Sequence, residues 1–216
     1  MDRVNLICMI LFLCSSFFAG AEPVDIIVLV DTSISMESCF HDVTSFLLDD
    51  LLATQVSHRD TLHLLQFSDV PVHEKTQTIT GDYSIATIIK EILFLREKVI
   101  LGKYTDVVTA LEELYHYIKG LSLSREKRIY LITDMIHDPP AESPYADRDP
   151  ALVKYALSRS TRMIRSQEGW YVLASYLPKN TNISPELFSG HGRVSGSNAP
   201  LFTGVYLTTG KDTDHL

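Results

Sequence analysis

Cysteine is scarce in this 216-residue chain: Cys8, Cys14 and Cys39 are all it has. The first two lie in an apolar leader, so the body holds one thiol and no intrachain disulfide staples it. Cys39 is expected as a buried thiol on the first helix. Positive charge is short as well. Nineteen Lys and Arg against 27 Asp and Glu give a net charge of −8, which argues against a nucleic-acid surface. There is no internal repeat, low-complexity tract or long linker. There is also no G-x-S-x-G nucleophile elbow, no G-x-x-x-x-G-K-[ST] phosphate loop and no H-E-x-x-H zinc site. The eight histidines are scattered, and only His137 falls near the residues singled out below.

The leader is the one long apolar run. Arg3 gives a positive start, Val4 to Phe18 is nearly all apolar, and Ala19-Gly20-Ala21 fits a cleavage site before Glu22. Residues 1–21 read as a secretory signal peptide, and residues 22–216 as one domain, irregular from about residue 178. An uncleaved membrane anchor is the alternative, and a lipoprotein signal ending at Cys14 suits Leu11-Phe12-Leu13 poorly. No second run is long enough to span a membrane. The expected location is secreted or periplasmic, outside the cytoplasm.

The most informative stretch is Val24 to Met36, VDIIVLVDTSISM. Its β-branched, almost wholly apolar start is the pattern of a strand buried on both faces of a parallel sheet. The run stops at Asp31, and oxygen-bearing side chains follow at Ser33 and Ser35 before a helical pattern begins. A turn between the carboxyl end of a strand and a helix is where open α/β sheets bind ligands. Carboxylate and hydroxyl oxygens suit Mg²⁺, Mn²⁺ or Ca²⁺. The simpler reading of Ser33 and Ser35 is a helix cap.

Further along, Met36–Val56 has helical spacing, Thr61–Ser68 reads as a strand, and Pro71–Thr80 as an antiparallel edge strand joined to it by a hairpin. Tyr83–Glu97 and Asp106–Lys119 read as helices, with Gly120 as a stop. Arg128–Thr133 is a second buried strand, ending at Asp134. A proline-rich acidic loop, His137–Pro150, leads to a basic helix over Ala151–Gln167, a strand at Trp170–Leu177 and a short last strand at Gly204–Thr209. Only Pro185–Phe188 suggests a helical turn in the stretch between. The alternation predicts a doubly wound α/β fold: a mostly parallel central sheet with one antiparallel edge strand and helices on both faces. If the first strand is central and the Arg128 strand lies beside it, Asp31 and Asp134 flank one crevice at the point where the strand order reverses.

Three segments, VLVDTSISM, GKYTDVVTALEEL and IYLITD, carry Asp31, Ser33 and Ser35, then Thr105, then Asp134. Together they resemble the metal-ion-dependent adhesion site of von Willebrand factor type A (integrin I-like) domains, over about Val24 to Leu177. The resemblance implies that Ser33 and Ser35 ligate the cation directly and that Thr105 does so in the ligand-bound state. It implies that Asp31 and Asp134 act mostly through water and through hydrogen bonds to the serines. It further implies an open coordination corner, to be filled by an acidic residue of a protein or peptide partner. The sequence departs from the family pattern at Ile34 and Met135, where glycine is common, and in the long loop bearing Asp138, Glu142, Asp147 and Asp149.

Two rivals remain. A metal-independent scaffold subunit would use the same fold through its sheet edge or its basic helix, which carries Lys154, Arg159, Arg162 and Arg165. A Mg²⁺-dependent hydrolase of the haloacid dehalogenase kind needs a second acid two residues after its nucleophilic Asp. That place is Ser33, which exchanges no protons near neutral pH. No catalytic residue is therefore expected.

Overall fold

The computed structural model describes residues 22–69, 73–97, 101–134, 136–146, 148–165, 171–176, 194–195, 204–205 and 207–209. The expected signal peptide, Met135, Asp147 and the helical turn expected at Pro185–Phe188 lie outside them. No helix among the described residues is long and apolar enough to cross a membrane.

The strands are β1 (Asp25–Asp31), β2 (Thr61–Phe67), β3 (His73–Thr78), β4 (Lys127–Ile132), β5 (Tyr171–Tyr176), β6 (Val194–Ser195), β7 (Gly204–Val205) and β8 (Leu207–Thr209). Six of them form one sheet in the order β3-β2-β1-β4-β5-β8, and β6 pairs with β7. β1 is parallel to β2 and β4, and β4 is parallel to β5. β3 is antiparallel, as the hairpin predicts. β8 is antiparallel too, so the sheet has a reversed strand at each edge rather than one. The expected strand at Gly204–Thr209 is split, only its second half joining the main sheet.

The central strand is buried along its whole length, because alternate residues serve two cores. Ile27 and Leu29, with Leu65, Phe67, Ile129 and Leu131, face one layer. That layer is α3 (Val107–Lys119), through Val108, Leu111 and Leu114, and α4 (Pro150–Arg165), through Leu157 and Ile164. Ile26, Val28 and Val30 face the opposite layer, formed by residues 34–52 and α2 (Asp82–Glu97). A strand buried on both sides leaves no polar period, which is why this one reads as a continuous apolar run.

The segment after β1 departs from the single helix expected over Met36–Val56. It is a 3₁₀ turn (Ile34–Cys39), then α1 (Phe40–Ser45), then a π-helical stretch (Phe46–Leu52). The buried residues Met36, Phe40, Val43, Leu47 and Leu51 explain the change. Four steps cover fifteen residues, about 3.75 per turn against 3.6 for an α-helix. A regular helix would rotate this stripe off the sheet, and the wider π turn takes up the lag.

Candidate metal centre

The order β2-β1-β4 puts the switch point between β1 and β4, and both candidate carboxylates stand at that edge. Asp31 ends β1 with no exposed surface, and Asp134 follows β4, also buried. Each closes a tight turn. The Ser33 N–H donates to Asp31 Oδ1 at 2.9 Å, and the Ile136 N–H donates to Asp134 Oδ1 at 2.9 Å. The Thr133 hydroxyl donates to the other Asp31 oxygen at 2.7 Å, tying the two strand ends together. Beyond Asp31, the Ser33 and Ser35 hydroxyls lie 3.0 Å apart.

Ser33 occupies the cap position of the 3₁₀ turn, yet its side chain makes no capping hydrogen bond. Thr105 is not a cap either. Asp106 takes that role for α3, accepting from the Thr109 N–H at 3.0 Å and the Thr109 hydroxyl at 2.8 Å. The Ser143 hydroxyl, from the long loop, donates to the same carboxylate. Ser33 is therefore no side-chain cap, Thr105 is left free of that duty by Asp106, and both residues are buried at the same edge of the sheet.

Two backbone clamps bring the Thr105 segment to this edge. The Ile34 N–H donates to the Gly102 carbonyl at 2.9 Å, and the Gly102 N–H donates to the Thr32 carbonyl at 3.0 Å. Thr105 and Asp138 exchange both backbone hydrogen bonds, at 2.8 and 2.9 Å. One clamp fastens the loop to the β1 turn, the other to the segment after Asp134. Sequence reasoning did not find Gly102, Thr133 or Asp106, and it marked Asp138 only as an acid of the long loop. Of these only Asp106 carried a usable signal, an Asp directly before an apolar helical pattern.

Gly102 fits because nothing larger does. A Cβ there would land inside the van der Waals envelope of Ser68 Oγ, Ser68 Cβ and the Asp69 carboxylate. Gly102→Ala is expected to cost about 1–3 kcal/mol, as overpacking does, and to shift the loop that carries Thr105. Urea denaturation checks the first effect, and unchanged stability would mean that the loop yields freely.

The electrostatics are unbalanced. Burial pushes the Asp31 carboxyl up from 3.8 to about 6, hydrogen bonds from Ser33 and Thr133 oppose the rise, and the nearby Asp134 carboxylate adds to it. No described ion pair reaches Asp31 or Asp134. Among the described residues no group of three or more His, Cys, Asp or Glu is arranged to hold a metal, so the donors on offer are hydroxyls beside two carboxylates. Two buried carboxylates without a cation, next to neutral oxygens, fit a hard divalent ion.

The raised Asp31 value has a testable sign. Without metal, the folded chain holds this proton more tightly than the unfolded chain does. The contribution to stability is therefore full below about pH 4 and lost as pH rises through about 6. The rise from 3.8 to about 6 corresponds to about 3 kcal/mol. In chelator, Asp31→Asn should gain on the wild type by up to that amount between pH 4 and pH 7, read from paired thermal melts. A difference independent of pH would contradict the assignment.

Beside this edge, Asp69, Asp106, Glu113 and Glu142 line a groove over Phe67 and Pro140, and no cationic residue among those described lines it. His137 is half-buried, and neither ring nitrogen has a hydrogen-bond partner among the described residues. Burial lowers its pKa, against the pull of Asp106 and Asp138.

Comparison with known proteins agrees with this architecture. Over 165 residues the chain is 26% identical to a protein of Treponema pallidum (strain Nichols) described as uncharacterized, covering 75% of this chain and 72% of that one. The manganese-loaded TRAP protein of Plasmodium vivax shares the fold, with a TM-score of 0.59 at 18% identity, over 82% of this chain and 66% of that one. The pilus adhesin SpaC of Lactobacillus rhamnosus GG, in its open conformation, aligns over 55% of this chain and 15% of its own, at 18% identity and a TM-score of 0.42. Residues 26–137, just over half of the sequence, match the von Willebrand factor type A domain, and the chain belongs to that family.

Proposed function

We propose that this domain binds a protein or peptide through one divalent cation held by Asp31, Ser33, Ser35, Thr105 and Asp134. Ser33, Ser35 and Thr105 supply neutral oxygens. Asp31 and Asp134 balance the charge from behind and orient the serines, the usual work of groups outside the coordination shell. A cation held mainly by neutral donors keeps its appetite for a further anionic oxygen, and a partner's Asp or Glu provides it. Mg²⁺, Mn²⁺ and Ca²⁺ all suit this donor set. Nothing in the site calls for turnover: the position two residues after Asp31 is a serine, so the role is adhesion or complex assembly outside the cytoplasm.

The observation that carries the reading is the pair of buried carboxylates with no described cation beside them, next to two serine hydroxyls in contact. The manganese in the TRAP structure belongs to that protein, and it supports the reading by likeness of fold alone. The test is capture from the native envelope or medium on immobilised protein, in Mg²⁺ and in chelator. The wild type should retain a partner in Mg²⁺ and release it in chelator, and Ser33→Ala/Ser35→Ala should retain nothing. Equal capture under all conditions would point to a metal-independent scaffold.

A further inference from the structure

We infer that the site selects partners whose acidic residue is flanked by apolar side chains, because Ile34 and Ile136 form an apolar rim to it. The inference rests on the metal-dependent binding proposed above and specifies the chemistry of the ligand. Seven large apolar side chains are exposed among the described residues, and two of them are these isoleucines, 60% and 47% exposed. Single exposed apolar residues need no explanation, but these two follow the carboxyl ends of neighbouring strands. β1 and β4 are adjacent and parallel, with Val30 opposite Ile132, and residues 34 and 136 each stand four positions beyond that pair. Ile34 lies between the two serines, and Ile136 lies two residues past Asp134.

Neither side chain is needed to build the turn. The Ile34 N–H is bound to the Gly102 carbonyl and the Ile136 N–H to the Asp134 carboxylate, so the backbone does the structural work and the side chains stay in water. A polar residue would serve those backbone bonds equally well. Isoleucine there returns free energy only when something apolar covers it. Toward the acidic groove the preference reverses. Asp69, Asp106, Glu113 and Glu142 repel a second acid on the ligand. An apolar–acidic sequence thus fits, and an acidic run does not.

The probe is a phage-displayed library of linear twelve-residue peptides with a fixed central Asp and random flanks. It is selected on the wild type in Mn²⁺ and eluted with chelator. Eluted peptides should carry apolar residues within two positions of the Asp at several times the library frequency, and few second acids. Ile34→Ser/Ile136→Ser should lose the apolar enrichment and bind a selected peptide about a hundredfold more weakly, about tenfold for each side chain. The same variant should keep the full rise in melting temperature with Mn²⁺. Flanks at library frequency, or unchanged enrichment with the double variant, would overturn the inference. If Mn²⁺ raises the melting temperature but no peptide is eluted, the apolar rim is refuted while the metal site stands. If Mn²⁺ has no effect on melting, both readings fall.

Discussion

Millimolar Mg²⁺ or Mn²⁺ is expected to raise the melting temperature of the wild type by about 5–10 °C over the value in chelator, and to leave Asp31→Ala unmoved. The magnitude follows from linkage. A ligand that binds only the folded state at a hundred times its dissociation constant stabilises by about 2.7 kcal/mol. For a domain of this size each kcal/mol is worth roughly 2–4 °C. The effect should be larger at pH 7 than at pH 5, because the cation competes with the proton that burial favours on Asp31. Ser33→Ala/Ser35→Ala should lose the response as well, since it removes the two hydroxyls that lie 3.0 Å apart beside Asp31. A response of equal size in the wild type and in Asp31→Ala would place the cation elsewhere.

The second large effect lies at the opposite edge of the sheet. Asp25→Ala is expected to cost about 3–5 kcal/mol, the usual result of removing one partner from a buried ion pair. Asp25 begins β1 with its side chain 6% exposed. Arg125 Nε sits 3.0 Å from Oδ1, an ion pair off the hydrogen-bond axis. Lys127, with no exposed surface, holds its ammonium 4.0 Å from Oδ2, and His63 Nε2 lies 3.8 Å from Oδ1. The Lys127 ammonium also donates to the carbonyls of Ser122 and Arg125, and Arg125 donates to those of Val24 and Arg59. The substitution removes the carboxylate that these two cations share, one of them fully buried.

Burial already lowers the Lys127 pKa, and Asp25 holds it up. A base with a depressed folded pKa destabilises while charged, so the deficit of Asp25→Ala should shrink as pH rises into the lysine range. Asp25→Ala/Lys127→Met should be more stable than the single variant. Equal or lower stability of the double variant would contradict this account of the cluster. The response to Mg²⁺ should survive Asp25→Ala, since the cluster is a strand length away from Asp31.

The fold was legible because its central strands are buried on both faces. Runs such as DIIVLVD and RIYLI admit few other readings, and the β-α alternation then dictates a parallel sheet with a switch point. Of the candidate site, the residue types were legible: Asp31, Ser33, Ser35, Thr105 and Asp134, expected as metal ligands, all stand at one edge of the sheet. What escaped were effects of tertiary context. The π stretch over Phe46–Leu52 answers a demand made by the sheet, and the apolar stripe reveals it only once the buried face is known. β8 pairs antiparallel with β5 across a long separation that carries no local signal. Gly102 and Asp138 act through backbone hydrogen bonds, to which composition is blind. Thr105 and Asp106 both suit a helix start, and only the geometry assigns the cap to Asp106 and frees Thr105 from that duty.

The most direct measurement is an anomalous difference map from crystals of the wild type soaked in Mn²⁺. The account predicts one strong peak at the carboxyl edge of β1 and β4, in contact with the Ser33, Ser35 and Thr105 hydroxyl oxygens and missing from Asp31→Ala crystals. A map with no peak there, or one whose only manganese lies away from Ser33 and Ser35, would contradict it.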